Sequence, residues 1–425
     1  MLEQYKTACD QLLSLTNIQL KPYSESKAEL TRSLKRTRAL LKQLGNPDKK
    51  LQIIHITGTS GKGSVANMLH QILFLDKKNV GTYTSPHTTS YLERFQTNGA
   101  LIDPKILTEA IHDVIHAYEK LLARGLSELS FFELSTAIAL YAFVKAGMKW
   151  CVLEVGCGGR YDATNVISTP RAAVITNINF DHTELLGNTL EKIAYEKAGI
   201  IKKNGSVFCG EPRPALRKIF MDEAIKNQAT VFFVNQPLAT KIASTLGSHQ
   251  QHNAAIAEAV AKKLKIQDEV IKKAIQSVKL LPCRFETIQK YPTVILDGAH
   301  SPAKIQATVD MIKNHNIEPY VIFGCTVNKN AKKMIALLAP HVRSITTTRF
   351  TTTARKAANP FTLLGLVPKS KRAGAFLDWQ AALKHAEKLA NKSGTIIVTG
   401  SLYLSGDIRS HWITEEQILK NRSSF

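Results

Sequence analysis

Apolar residues in this chain come in short continuous runs separated by amphipathic stretches. Runs at 53–57 (IIHIT), 80–84 (VGTYT), 150–155 (WCVLEV), 172–177 (AAVITN), 206–209 and 230–234 read as strands. A run without polar alternation suits a strand covered on both faces, as in a parallel sheet. Helical patterns lie between them. Over 131–146, Leu134, Ile138 and Tyr141 recur at i, i+4 and i+7. Another helix is expected after Asn188, which can cap it, with Glu191 three residues on. Helices 251–264 and 268–278 follow, and the alternation then resumes. Strand 293–297 (TVILD) leads into a helix from Pro302, where Ile305, Val309 and Ile312 share one face. Proline is tolerated in a first helical turn because its missing N–H would have no helical partner there. Strands 320–325, 344–348 and 395–399 complete the series. The pattern predicts an α/β chain in two parts, 1–290 and 291–425, divided near Tyr291. In such sheets ligands bind at the carboxyl ends of the strands.

The length of 425 residues agrees with two domains, since a single core stops growing near ~250–300 residues. With 44% hydrophobic and 21% charged residues, 23 Gly and 15 Pro, the chain is neither disordered nor collagen-like. No stretch reaches the ~18 uninterrupted apolar residues of a membrane span. The start, MLEQYKTACDQ, lacks a basic region followed by an apolar one, so no secretory signal is expected. Six cysteines stand at 9, 151, 157, 209, 283 and 325, none in a CxxC. They are expected to be buried thiols in a reducing cytoplasm rather than a disulfide framework or a zinc site. An excess of 56 Lys+Arg over 34 Asp+Glu gives a net charge of +22. That attracts anions without choosing among nucleic acid, nucleotide phosphates and polycarboxylates. Lysines 262, 263, 265, 272, 273, 332, 333, 369 and 371 read as solvated faces.

The strongest chemical signal is ITGTSGKGS, residues 56–64. A strand runs into Gly58, then Gly61, Lys62, Gly63 and Ser64, then a helix. Glycines let backbone N–H groups curl around phosphate oxygens, the helix N-terminus adds partial positive charge, and Lys62 adds a full one. The spacing departs from GxxxxGK[ST], because Gly63 separates Lys62 from Ser64. The plainer reading is a glycine turn; strand, lysine and helix together favour a nucleotide site. Glu154 ends a buried strand, where a carboxylate must be paired or metal-bound. Its plainer role is an ion pair with Arg160. His182 in NFDHTELLG follows another strand and is either a hydrogen-bonded surface residue or part of the same site. Lys197 falls on an apolar stripe with Leu190 and Ile193. It is either a snorkelling surface lysine or a buried amine that tends to lose its proton.

These pieces join others in order: GTSGKGS, TSPH (84–87), ERFQTNG (93–99), SFFE (130–133), LEVGCGGRYDATN (153–165), DHTELLG (181–187), EKAGIIK (196–202), RFE (284–286), DGAH (297–300) and GSLYLSGD (400–407). From about residue 30 to about 410 the chain resembles the folylpolyglutamate synthase/dihydrofolate synthase family of the Mur ligase superfamily. The resemblance implies a P-loop central domain with a mainly parallel sheet and a smaller Rossmann-like C-terminal α/β domain. It implies that Gly58, Thr59, Ser60, Gly61, Lys62, Gly63 and Ser64 hold the ATP phosphates, with Asn253, Arg284, Asp297 and His300 completing the ATP site. Ser85, Glu154, His182 and a carbamylated Lys197 would hold Mg²⁺, two ions in all, and Lys62, His182 and Lys197 would carry the chemistry. Ser130, Phe131, Phe132 and Glu133, with Tyr161, Asp162 and Ala163, match the places where the family binds its pterin substrate.

The implied reaction activates a carboxylate with ATP as an acyl phosphate, which the amine of L-glutamate attacks. The implied substrates are ATP, L-glutamate and dihydropteroate or a reduced folate, handled by a cytoplasmic monomer without nucleic-acid or membrane partners. Departures are Ser60 and Ser301, where the family usually has Asn, and Asn328–Lys329–Asn330, where it usually carries acids beside the lysine. Another Mur amide ligase acting on a different acid is the main alternative. The charge also suggests a nucleic-acid-stimulated P-loop ATPase, but aromatic-basic interleaving such as an RNP motif is missing.

Overall fold

The computed structural model describes residues 2–15, 27–235, 248–279, 281–351 and 355–425, with the side chains of 27–30 and 248 left aside. The chain forms two compact units. The first comprises residues 1–86 and 92–279, the second 87–91 and 280–425.

The first unit is built on β1 (Gln52–Thr57), β2 (Val80–Tyr83), β3 (Phe95–Thr97), β4 (Ala100–Leu101), β5 (Trp150–Glu154), β6 (Ala172–Ile175), β7 (Ser206–Cys209) and β8 (Thr230–Phe233). Their order in the sheet is β4-β3-β2-β5-β1-β6-β7-β8. The pairs from β2 to β8 are parallel, and β3 and β4 add an antiparallel hairpin at one edge. The apolar runs predicted the parallel strands; the hairpin strands are too short to show a pattern. Alternation along β1 sends Ile54 and Ile56 into a core with Val65, Leu69, Val152, Val174, Phe208, Ile256 and Val260. Helices Lys62–Leu75 and Ser248–Lys263 cover that face.

Helix Phe131–Lys145 is buried nearly all round, beyond the single stripe expected of it. Helix Leu190–Ala198 is capped by Thr189, whose side chain accepts from the Lys192 amide at 3.2 Å. The expected cap, Asn188, is therefore one residue early, and Glu191 does not close a capping box with it.

The second unit contains β9 (Arg284–Lys290), β10 (Thr293–Asp297), β11 (Tyr320–Phe323), β12 (Ser344–Thr347), β13 (Arg372–Ala375) and β14 (Thr395–Thr399). Their order is β13-β12-β11-β14-β10-β9, with only β9 antiparallel. Strand β9 hydrogen-bonds along β10, which carries residues 284–290 into this unit. The division thus falls at 279/280, earlier than Tyr291.

Segment 87–91 is held inside the second unit. Ser90 Oγ donates to Glu415 Oε1 at 2.9 Å, and Arg409 reaches Thr89 Oγ1 at 3.4 Å. A Cβ on Gly406 would collide with the Thr88 carbonyl. The Arg409 side chain is wholly buried, donating to both oxygens of Glu286 at 3.0 and 3.2 Å and to the Ser424 carbonyl.

All six cysteines are free thiols, four of them buried and Cys9 and Cys157 half-buried. No helix among the described residues is long and apolar enough to cross a membrane.

Removing one member of a buried ion pair leaves the other charge uncompensated. Arg409→Met is expected to destabilise the second unit by about 3–5 kcal/mol, read as a lower urea midpoint. An unchanged midpoint would show that Glu286 finds solvent or another partner without cost.

Candidate active site

Four neighbouring parallel strands, in the order β2-β5-β1-β6, end at the same crest. Gly58–Ser64 follow β1, Ser85 follows β2, Glu154 ends β5, and residues 177–182 follow β6. Register places Glu154 beside Ile56 and Tyr83 beside Leu153, so segments distant in sequence meet at one level.

The loop after β1 is clamped to the segment after β6. The Ser60 amide donates to Asn177 Oδ1 at 2.9 Å, Asn177 Nδ2 donates to Ser60 Oγ at 2.7 Å, and Thr176 Oγ1 donates to the Ser60 carbonyl at 2.6 Å. Thr59 bonds to the Asn177 and Asn179 carbonyls. Ser60, where the family usually has Asn, is thus used to pin the loop. Gly61 caps helix Lys62–Leu75 with φ +79°, and a Cβ there would collide with Asn253 Oδ1. Asn253 bonds to Gln250, which in turn donates to Ser64 Oγ at 3.2 Å. Asn253 therefore sits against the loop. Asn177, Thr176 and Gln250 were not read from the sequence; the trace of the first two is polarity at the end of an apolar run, and Gln250 lies in the polar first turns of a helix.

Lys197 is 3% exposed, which excludes a snorkelling lysine. Its Nζ donates to the Gly58 carbonyl at 3.0 Å, and Lys62 Nζ donates to the same carbonyl at 3.2 Å. Burial, with the Lys62 charge adding to it, pushes the Lys197 amine down to about 7. Glu154 is 4% exposed, and its Oε2 accepts the Ser85 amide at 3.0 Å. Arg160 pairs instead with Glu223 at 3.0 Å and lies 4.0 Å over the Tyr195 ring, so the alternative of a Glu154–Arg160 pair is not formed. His182 takes a left-handed backbone at φ +51°, with its ring 3.9 Å from Asp181 and 4.0 Å from Glu184. Among the described residues no three His, Cys, Asp or Glu side chains close into a metal cluster.

Of the two segments matched to pterin binding, the first packs against Gly156, five residues before the second. A Cβ on Gly156 would collide with the Phe132 ring, which also lies 6.2 Å from Tyr83. Ser130 and Glu133 form a capping box, and Arg36 donates to both Glu133 oxygens at 3.2 and 3.3 Å. The Arg94 guanidinium lies 5.3 Å from the Phe131 ring centre. Tyr161 is half-buried, while Asp162 and Ala163 are buried.

Arg284, Asp297 and His300 belong to the second unit. Asp297 ends β10 and accepts from the Phe285 and Ala299 amides and from Thr308 Oγ1. His300 bonds through Nδ1 to the Gly298 carbonyl and through Nε2 to Lys304 Nζ at 2.8 Å. Arg284 donates to the Cys283 carbonyl.

A glycine- and lysine-bearing loop at the crest of one parallel sheet, followed by a second α/β unit, is the frame of a nucleotide-binding protein, and the family matches give its class as Mur ligase. The Mur ligase middle domain matches residues 56–229 and the Mur ligase glutamate ligase domain matches 283–402. The "Dihydrofolate synthase/folylpolyglutamate synthase" of Bacillus subtilis is 30% identical over 409 residues, covering 88% of this chain and 94% of that one. A "Probable bifunctional folylpolyglutamate synthase/dihydropteroate synthase" of Haloferax volcanii is 29% identical over 96% of this chain, which spans 50% of that longer protein. Among solved structures, Mycobacterium tuberculosis folylpolyglutamate synthase complexed with ADP and AMPPCP superposes with a TM-score of 0.80 at 28% identity, covering 89% of this chain and 95% of that one. Escherichia coli FolC in complex with DHPP and ADP gives 0.80 at 25% identity, covering 98% of each. The Yersinia pestis bifunctional enzyme complexed with AMPPNP and Mn ion gives 0.79 at 25% identity, covering 95% and 97%. The chain belongs to the folylpolyglutamate synthase/dihydrofolate synthase family and is an ATP-dependent ligase of folate metabolism.

Two expectations follow from this geometry. Gly61→Ala is expected to weaken MgATP binding about tenfold or more, since a left-handed non-glycine residue costs about 1–2 kcal/mol and the methyl displaces Asn253. Calorimetric titration with nucleotide checks it, and unchanged affinity would remove Gly61 from the site. Lys197 has a folded-state pKa below its unfolded value, so between about 7 and 10.5 the unfolded chain binds the extra proton and stability rises with pH. In carbonate-free buffer Lys197→Met is therefore expected to gain most over wild type below about pH 7, with the gap closing toward pH 10. A pH-independent difference in urea stability would refute the buried neutral amine.

Proposed function

We propose that this chain phosphorylates the carboxylate of dihydropteroate or a reduced folate with ATP and couples the product to the amine of L-glutamate. The observation that carries the reading is the convergence of the phosphate loop, two lysines and the Ser85–Glu154 pair at the crest where the Phe132–Gly156 platform also lies.

ATP would place its phosphates against the loop amides at the N-terminus of helix Lys62–Leu75, a position that attracts anions. Lys62 would exchange the Gly58 carbonyl for a phosphate oxygen and neutralise charge as the γ-phosphoryl group moves to the acid. The acid oxygen forms the new P–O bond, ADP leaves, and the glutamate nitrogen then attacks the acyl carbon and expels phosphate. By the resemblance, Arg284, Asp297 and His300 would take part in ATP binding, and the amine comes from L-glutamate.

The donor set suits magnesium in part. Ser85 and Glu154 offer the oxygen ligands a hard cation prefers. A lysine amine does not. Lys197 fits only as a carbamate, formed when its neutral amine adds to CO₂ and releases a proton, and a pKa near 7 leaves much of it neutral. With His182, these residues would hold up to two ions, which would supply electrostatic stabilisation of the transferring phosphoryl group. The net charge of +22 suits substrates that are all anions. The reading includes a cytoplasmic monomer without nucleic-acid or membrane partners.

Pure protein with MgATP, glutamate and either dihydropteroate or tetrahydrofolate is expected to yield the glutamyl product by mass spectrometry, with ADP and phosphate. Lys62→Ala should lower turnover by about 3–4 kcal/mol in barrier, a factor of several hundred. Near-full glutamate incorporation by that variant would overturn the assignment. Product only from acids unrelated to pteroate would favour another Mur amide ligase.

A further inference from the structure

Strand β1 reads as a core strand, yet two of its residues are polar and wholly buried. His55 and Thr57 lie two residues apart and so share the face opposite Ile54 and Ile56. Both side chains bond to the stretch 156–165, which returns past the strand after β5. Thr57 Oγ1 donates to the Gly158 carbonyl at 2.6 Å. His55 Nε2 lies 2.8 Å from Thr164 Oγ1, and Thr164 Oγ1 lies 2.6 Å from Asp162 Oδ1. Asp162 also accepts the Thr164 amide through Oδ1 at 3.0 Å and the Cys157 amide through Oδ2 at 2.9 Å.

The direction of these bonds follows from valence. Burial, with the Lys202 charge adding to it, pushes the His55 imidazole down to about 3, so the ring is neutral and carries one N–H. Both Asp162 oxygens already accept backbone amides, and the Thr164 hydroxyl gives its hydrogen to Oδ1. Its oxygen is then left to accept, and the His55 hydrogen must be on Nε2. His55 Nδ1 is bare, buried and without a hydrogen-bond partner among the described residues. An apolar residue at this position would avoid that orphan, so the histidine's presence calls for a reason.

We propose that His55 and Thr57 are positioning residues that mount the acid-substrate loop 156–165 on the same strand that carries the phosphate loop. This rests on reading Tyr161–Ala163 as part of the acid site. The His55→Thr164→Asp162 relay fixes one end of the loop, and Thr57→Gly158 fixes the other. Because Gly58 directly follows Thr57, a shift of the acid-binding loop relative to the phosphate loop would have to break a bond to β1. The separation between the acid and the phosphoryl donor is thereby built into one strand.

The test compares full-length His55→Leu, His55→Gln and His55→Asn. Glutamine can place an amide donor where Nε2 sits; asparagine places it nearer Nδ1. His55→Leu is expected to raise KM for dihydropteroate at least about tenfold. The Kd for MgATP should stay within about twofold of wild type. Amide exchange measured by mass spectrometry should accelerate over 156–165 but not over 58–64. His55→Gln should restore both readouts and His55→Asn neither. In ¹⁵N-histidine spectra, His55 should show a protonated Nε2 and a bare Nδ1. The proposal falls if His55→Leu matches wild type in acid KM and loop exchange, if Asn rescues as well as Gln, or if Nδ1 carries the proton. Should the leucine variant not fold, the Gln–Asn comparison and the spectrum still decide. If wild type binds no pteroate-type acid, the proposed function fails, while the exchange and tautomer results judge the relay by themselves.

Discussion

Parallel pairing of β2, β5, β1 and β6 is the constraint on which the site depends. Parallel strands share a direction, so every loop leaving their carboxyl ends starts from one crest. Helix N-termini return to that crest with unpaired amides and partial positive charge. A triphosphate, a carboxylate and a hydroxyl can therefore be brought together by residues from 58 to 197 without a long-range loop of special shape. The clamp between Ser60 and Asn177 then holds the phosphate loop to the neighbouring strand end, and the glycines at 58 and 61 leave space that Thr176 and Asn253 occupy.

Electrostatics at the crest run against ordinary core design. Two amines, Lys62 and Lys197, converge on one carbonyl, and one of them is buried. Such an arrangement is unfavourable unless an anion arrives or one amine gives up its proton. Burial first, and the Lys62 charge second, lower the Lys197 pKa. The second unit handles its own crest differently: Asp297 is stitched into place by two amides and a threonine hydroxyl. The first unit's crest thus brings two amines to one carbonyl, whereas the second unit's crest holds a fixed carboxylate.

Local chemistry accounts for most of what could be read in advance. Among the described residues, ten of the fourteen strands are visible as apolar runs, because a strand covered on both faces needs no polar partner. The four missed, β3, β4, β9 and β13, are short or lie at or beside sheet edges, where half-exposed residues blur the pattern. The phosphate loop was legible because its glycines and lysine are contiguous. The residues expected to hold Mg²⁺ and a pterin follow from motif order alone, not from any geometry that spacing could supply.

By itself the sequence determined the alternation of strands and helices, the phosphate loop, and the family whose motifs it carries in order. Tertiary structure alone decided which polar residues meet. Lys197 could have snorkelled or been buried, and Arg160 could have met Glu154 rather than Glu223, because each outcome depends on packing between elements far apart in the chain. His55 gave no sign at all: inside IIHIT it is one letter in an apolar run, and only the face it shares with Thr57 reveals what it holds. Periodicity and turn chemistry are local properties of a chain, whereas charge pairing and hydrogen-bond direction belong to neighbours that only folding supplies.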